Sequence, residues 1–281
     1  MKTKRMVRPC IALFIYLLSA HSIAFAAMEN KIPRIWLKHN PHSHAVISYL
    51  AWQNFLSHHV IRNPEGIHLI DYPNLNPHDL DTLKKHLAHM STIDITRYNR
   101  HEQLAFWINL YNALTVLTVA EHYPISSIQE IHITPGLFST GPWGKHLITI
   151  RGVALSLNDI HQRIIRPIWN DPRTHYALNN ATMGAANISQ QVFQGNRLNE
   201  QLNAAAIEYI NSLRGAHVIE GKLIVSKLYA WFIEDFGGNE QGLIAHLLPF
   251  ANPPLRRKLM QINAVNMYVY NWHLNSTTIS S

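Results

Sequence analysis

Cysteine is almost absent: the 281 residues hold one, Cys10. It falls in a stretch expected to be removed. The mature chain then has no disulfide, no thiolate nucleophile and no cysteine-held metal. Charge is scarce as well, at 15% Asp, Glu, Lys and Arg. No dense Lys/Arg block follows the first ten residues, so the footprint of a nucleic-acid binder is missing. There is no G-x-S-x-G elbow, which disfavours an ordinary serine hydrolase. Internal repeats, low-complexity tracts and a convincing linker are also missing.

What stands at the start is a leader. MKTKRMVR is a positive n-region, IALFIYLLSA a short apolar run, and Ala24-Phe25-Ala26 a small-x-small cleavage site. This predicts a signal peptide over residues 1–26. The apolar run is too short for a good membrane span, and Cys10 precedes it rather than following it as in a lipoprotein. The expected location is periplasmic or secreted, with no membrane span once the leader is gone. Four of the 24 basic residues, Lys2, Lys4, Arg5 and Arg8, leave with it, so 20 face 17 acidic ones and the basic excess is largely the leader's.

Histidine, by contrast, is plentiful. His39, His42 and His44 form H-x2-H-x-H, followed by His58–His59 and by His86 and His89. Imidazole suits zinc, copper or nickel. The spacing fits no closed site, however, and the acidic residues that complete one are not adjacent. No metal ligand set and no cofactor are assigned.

Residues 102–119 are the stretch on which the rest is organised. Leu104, Trp107, Ile108, Tyr111, Leu114 and Thr115 recur at the spacing of a buried helical face. Asn109 and Asn112 sit inside this apolar run with Glu102 a turn or two earlier, and buried amides need partners. They are read either as ties to neighbouring backbone or as the polar wall of a site. Residues 27–60 read as an N-terminal helical extension. A turn at Asn63-Pro64-Glu65-Gly66 precedes a short extended piece, and Asn76-Pro77 opens a helix to about Met90. A Gly/Pro-rich loop offers Trp143 as the lip of a pocket. Residues 147–151 form a strand turned by Gly152, and Ser156 with Asp159 makes a capping box. The helix it opens runs to about Trp169, and Pro167, late in it, is expected to end it. THYALN (174–179) reads as a strand. A helix over 199–213, a hairpin about Glu220-Gly221, three further helices and a strand over 267–272 follow. Residues 276–281 read as a disordered tail. The fold class is α+β: one mostly helical domain with a small sheet.

Several of these pieces resemble the family called domain of unknown function 547. They are AFWINLYNALTV (105–116), GVALSLNDI (152–160), DPRTHYALN (171–179), QLNAAAIEYIN (201–211), VSKLYAWFIEDFGG (225–238) and YNWHLN (270–275). The resemblance runs over roughly 60–275, implies a single domain over 61–275 with its core at 95–215, and brings no established activity. The departures carry information. Relatives often have N-C-A-S-x-G-C-P in the loop after 174–179, whereas here Asn180 and Ala185 stand at the cysteine positions and Ala186 at the proline. His161 replaces a glutamate, and Asn271 replaces an aspartate in the YDWSLN-like motif.

Three functions compete. The first is an exported, catalytically degenerate envelope protein binding a peptide, glycan or protein partner in a cleft near His175, with Asn109, Asn112, Asn180 and Trp143 as ligand contacts. The second is a hydrolase or transferase with His175 as general base and Asp159 or Glu102 orienting it. The third is a His-rich metal binder. The second requires a carboxylate within hydrogen-bond reach of His175 in a pocket; the third requires converging imidazoles.

Overall fold

The structure, a computed structural model, describes residues 34–136 and 139–278. The expected leader at 1–26 and residues 279–281 of the expected tail lie outside the described residues. A 3-10 turn at Arg34–Leu37 leads to α1 (Leu50–His59), β1 (Val60–Arg62), β2 (His68–Ile70), α2 (Pro77–Thr92) and α3 (Arg100–Ala120). Next come β3 (Ile148–Ile150), β4 (Val153–Leu155) and a π-helical segment, Asp159–Ile165, that runs into α4 (Arg166–Trp169). A 3-10 turn at Pro172–Tyr176 and a long loop precede α5 (Leu198–Ile210), β5 (Ala216–Ile219) and β6 (Lys222–Ser226). The chain closes with α6 (Lys227–Trp231), a 3-10 turn Ile233–Phe236, α7 (Glu240–Leu247), α8 (Pro253–Leu259) and β7 (Met267–Val269).

This is a mostly helical α+β fold. The strands form small sheets of two or three strands: β1-β2, β3-β4 and β5-β6-β7, with β7 parallel to β6. Two hairpins turn where glycine follows a residue able to enter the left-handed region. Arg151 and Gly152 have φ 51° and 78°, and Glu220 and Gly221 have φ 50° and 74°, the two-positive-φ pattern whose twist matches the flanking strands. Asn76 accepts from the Asp79 amide while Asp79 returns a bond to the Asn76 amide, which fixes the start of α2.

α3 has no outward face over most of its length. Seventeen of its 21 residues are buried, on every side of the cylinder rather than along one stripe. It is long and apolar enough to cross a bilayer, yet nearly all of it is covered by the rest of the chain. One hydrophobic cluster surrounds it. Trp36, Ile47, Tyr49, Trp52, Phe55 and Leu56 belong to that cluster, so residues 34–60 are part of the core and not an appended extension. A second cluster joins Tyr176, Tyr209, Tyr229, Phe236, Leu243 and Leu259 from the later elements.

Three other expectations are corrected. Residues 174–179 form no strand. Asp171 accepts from the Arg173 amide and starts a 3-10 turn over Pro172–Tyr176, and among the described residues no neighbouring strand offers that segment a ladder. Pro167 does not end its helix, which runs to Trp169 and stops at the left-handed Asn170. Ser276 and Thr277, assigned to a disordered tail, pair with the β2 edge: Ser276 bridges Ile70, and the Thr277 amide donates to Ile70 O at 3.1 Å.

Candidate functional site

The loop after Tyr176 is held by side chains from several elements at once. Asn112 on α3 donates to Ala177 O at 2.9 Å and accepts from the Asn179 amide at 2.9 Å. One turn earlier, Asn109 makes the same pair of bonds to Phe193, at 2.8 and 3.0 Å. Asn179 ties the loop to itself through Ala186 O and the Ala181 amide. The half-buried Arg214 donates to Ala185 O at 2.6 Å, and Tyr209 donates to Gly184 O at 2.8 Å. Gly184 has no room for a side chain, because a Cβ there would lie 2.8 Å from the Asn271 nitrogen. The loop therefore presses against the 270–275 strip, and its conformation is fixed before any ligand arrives.

Between loop and strip, at the seam of the two hydrophobic clusters, lies a cavity of about 180 Å³. That is below the roughly 300–1,000 Å³ typical of sites for drug-sized ligands, so it takes a small group. Trp143, Trp231, Trp272 and Tyr270 form one wall, with Trp272 5.4 Å from Trp231, 6.1 Å from Trp143 and 4.8 Å from Tyr270 between ring centres. Polar lining comes from Asn158, His161, Gln162, His175 and Asn180. Asn180 donates to the Tyr270 hydroxyl at 2.9 Å and accepts from Thr182 Oγ1 at 2.7 Å.

His175, one of these lining residues, is 3% exposed. Its Nε2 lies 2.7 Å from Asp235 Oδ2, and Arg166 grips the same carboxylate with Nε at 2.6 Å and a second nitrogen at 2.9 Å. Burial alone would raise the Asp235 carboxyl, but the bonds from His175 and Arg166 outweigh it and hold the carboxyl well below the usual range. Burial lowers His175 despite its bond to Asp235, so the imidazole is neutral near pH 7. An ionised carboxylate at Nε2 places the proton there and leaves Nδ1 as an acceptor. Nδ1 is buried without a partner among the described residues, and so is Nε2 of His161, whose ring is 5.1 Å from that of His175. Burial pushes His161 well down too. Phe232 packs 4.4 Å from the His175 ring, and the Arg166 guanidinium lies 4.8 Å over that same phenyl ring, which fixes the orientation of the dyad.

Of the residues singled out from sequence, the structure brings His175, Asn180 and Trp143 to the cavity. Asn109 and Asn112 are backbone ties and do not line it. Glu102 accepts from the amides of Ile47 at 2.8 Å and Gly195 at 3.1 Å, a clamp between core segments rather than an orienter of His175. Asp159 is spent on its capping box with Ser156 and on Arg163. The orienting carboxylate is Asp235, sixty residues from His175 in the chain. Asp235 sits in a single 3-10 turn, Ile233–Phe236, and nothing local in the sequence marks it as the partner of His175. Trp231, Tyr270 and Trp272 were likewise missed as lining. The histidines near the N-terminus do not converge: among the described residues no group of three His, Cys, Asp or Glu is placed to hold a metal.

Residues 95–210 match the family model described as "Protein of unknown function, DUF547". No curated protein and no solved structure matches the chain. The matched segment carries α3, the π-helical turn, His175 and the loop, while Asp235, Trp231, Tyr270 and Trp272 lie outside it.

Proposed function

We propose that this is an exported envelope protein that binds an uncharged polar ligand, a glycan or peptide unit, without covalent turnover. The observation that carries this reading is the lining itself: three tryptophans and three tyrosines face amides and imidazoles, and no Asp, Glu, Lys or Arg side chain is among the lining residues. A charged ligand would lose its hydration there and gain no counter-charge. An uncharged ring keeps the stacking surface of the indoles and finds hydrogen-bond partners in Asn158, Gln162 and Asn180. Asn180 and Ala185, at the positions where relatives carry cysteine, both line the cavity, and neither can act as a nucleophile. The phenols of Tyr111, Tyr209 and Tyr270 are pushed up by burial and stay protonated.

The test is a thermal-shift and tryptophan-fluorescence titration of the chain from residue 27 onward. The panel pairs uncharged saccharides and end-blocked peptides with charged counterparts. Uncharged members are expected to raise Tm, and Trp231→Ala, at the rim with 39% exposure, to abolish the effect. Binding by charged members only, or full binding by the variant, would overturn the reading. Export is checked by sequencing the N-terminus of the periplasmic or secreted protein, expected at Ala27.

The His175–Asp235 pair supports a second reading, a general base acting through Nδ1. Product analysis on any ligand that binds separates the two. Turnover that vanishes in His175→Gln while binding persists would establish catalysis.

A further inference from the structure

We infer that the ligand is an uncharged oligosaccharide that runs from the cavity across Tyr270 and Trp272 into a second subsite. This rests on the cavity being a binding site and adds the class and length of its occupant. Beside the cavity lies an open hollow of about 480 Å³ lined by Ser126, Ser127, Gln129, Asn271 and His273, and it shares Tyr270 and Trp272 with the cavity. The two shared rings are thus a common wall, reached from both sides. The hollow repeats the chemistry of the cavity: hydroxyl, amide and imidazole groups beside aromatic rings, with no Asp, Glu, Lys or Arg in its lining.

The wall is rigid. Ser127 Oγ donates to Trp272 O at 2.8 Å, and the Leu274 amide donates to Ser126 O at 2.8 Å, so residues 126–127 and 272–274 move as one. On the other side the amides of Met183 and Gly184 donate to His273 O and Asn271 O at 2.7 and 2.8 Å. A ligand spanning both subsites meets a surface already ordered, so the second subsite adds affinity with little ordering cost.

The same bonds separate a glycan from a peptide. An extended peptide gains affinity by pairing its backbone with a free strand edge. Here the carbonyls of 271–273 and the amide of 274 are taken by residues 126–127 and 183–184. Side chains and ring faces remain. Sugars use those: hydroxyls bond to amides while C–H faces lie on indole and phenol rings. The absence of charge in either lining also leaves nothing to hold a peptide terminus.

The experiment is a titration of the chain from residue 27 with N-acetylglucosamine and its β-1,4 dimer, trimer and tetramer. A parallel series uses glucose and its β-1,4 oligomers, and an end-blocked tripeptide series runs beside them. Affinity is read by calorimetry and, for the weakest members, by ligand-observed NMR. In at least one sugar series affinity is expected to rise roughly tenfold or more between monomer and trimer. Gln129→Ala/His273→Ala is expected to remove that gain and leave monomer binding unchanged. Sugar binding with no length dependence, or a gain untouched by the double substitution, overturns the second subsite and leaves the cavity reading intact. Binding of the peptides alone overturns the glycan class. If none of the three series binds, the cavity reading fails with it.

Discussion

Asp235 holds two neighbours through one carboxylate, and its replacement is informative for that reason. In Asp235→Asn the amide can no longer accept both from His175 and, bidentately, from Arg166. Hydrogen bonds to charged groups of this kind are worth about 1.5–3 kcal/mol, so we expect a loss of about 2–3 kcal/mol at pH 7 by urea unfolding. The sign of its pH dependence follows from the depressed carboxyl. A folded pKa below the unfolded value of about 3.9 gives stability that is present above pH ~4 and is lost as pH falls further. The gap between wild type and variant should therefore narrow between pH 5 and pH 2; a gap of constant size would show that the carboxylate is not the source. The sequence made His175 and Asn180 legible as candidates, because a histidine and amides surrounded by small residues stand out. It could not pair His175 with Asp235, since nothing local links positions sixty apart, and the two carboxylates it suggested, Asp159 and Glu102, are already used by backbone amides.

At the scale of elements, α3 works as a post from which three polar side chains reach outward to shape the loop and its surroundings. Glu102 fixes Gly195, Asn109 fixes Phe193, and Asn112 fixes residues 177–179. Asn112→Ala leaves the Ala177 carbonyl and the Asn179 amide unmet in a buried setting, at about 1–3 kcal/mol for each. We expect a loss of about 2–5 kcal/mol in urea unfolding, together with weakened ligand binding, because Asn180 and Ala185 take their places from that loop. A variant equally destabilised away from the loop, such as Leu83→Ala in α2, should keep its affinity once folded; equal weakening in both would refute the shaping role. The elements themselves were largely readable. Capping boxes at Asn76 and Ser156, the apolar run of α3 and the Glu220-Gly221 turn are local signals, and local interactions enforce them. The segment 174–179 was misread because its β-forming letters decide nothing without a neighbouring strand, while Asp171-Pro172 starts a turn by itself.

Across the whole molecule, each hydrophobic cluster encloses a histidine that folding keeps neutral. His86 lies against the first cluster and is 5% exposed, and burial lowers it to about 4. His246 lies against the second, accepts from the Tyr176 hydroxyl at 2.8 Å, and is lowered to about 4 mainly by burial. At the seam between the clusters, His161 and His175 are lowered for the same first reason. For His86 and His246 the unfolded chain takes up a proton near pH 6.5 while the folded chain resists until near pH 4. Stability is therefore complete above pH ~6.5 and declines through that window, at up to about 1.4 kcal/mol per pH unit per group. Unlike the Asp235 contribution, this loss begins near neutral pH. His86→Leu should recover about 1–3 kcal/mol of it, because leucine fills the apolar site and removes a ring nitrogen that has no partner among the described residues. Urea unfolding at pH 7.0, 5.5 and 4.5 measures the recovery as a shallower decline in the variant. Parallel declines would mean that His86 takes up its proton in the folded chain as readily as in the unfolded one, and that the first cluster is open to water at that point.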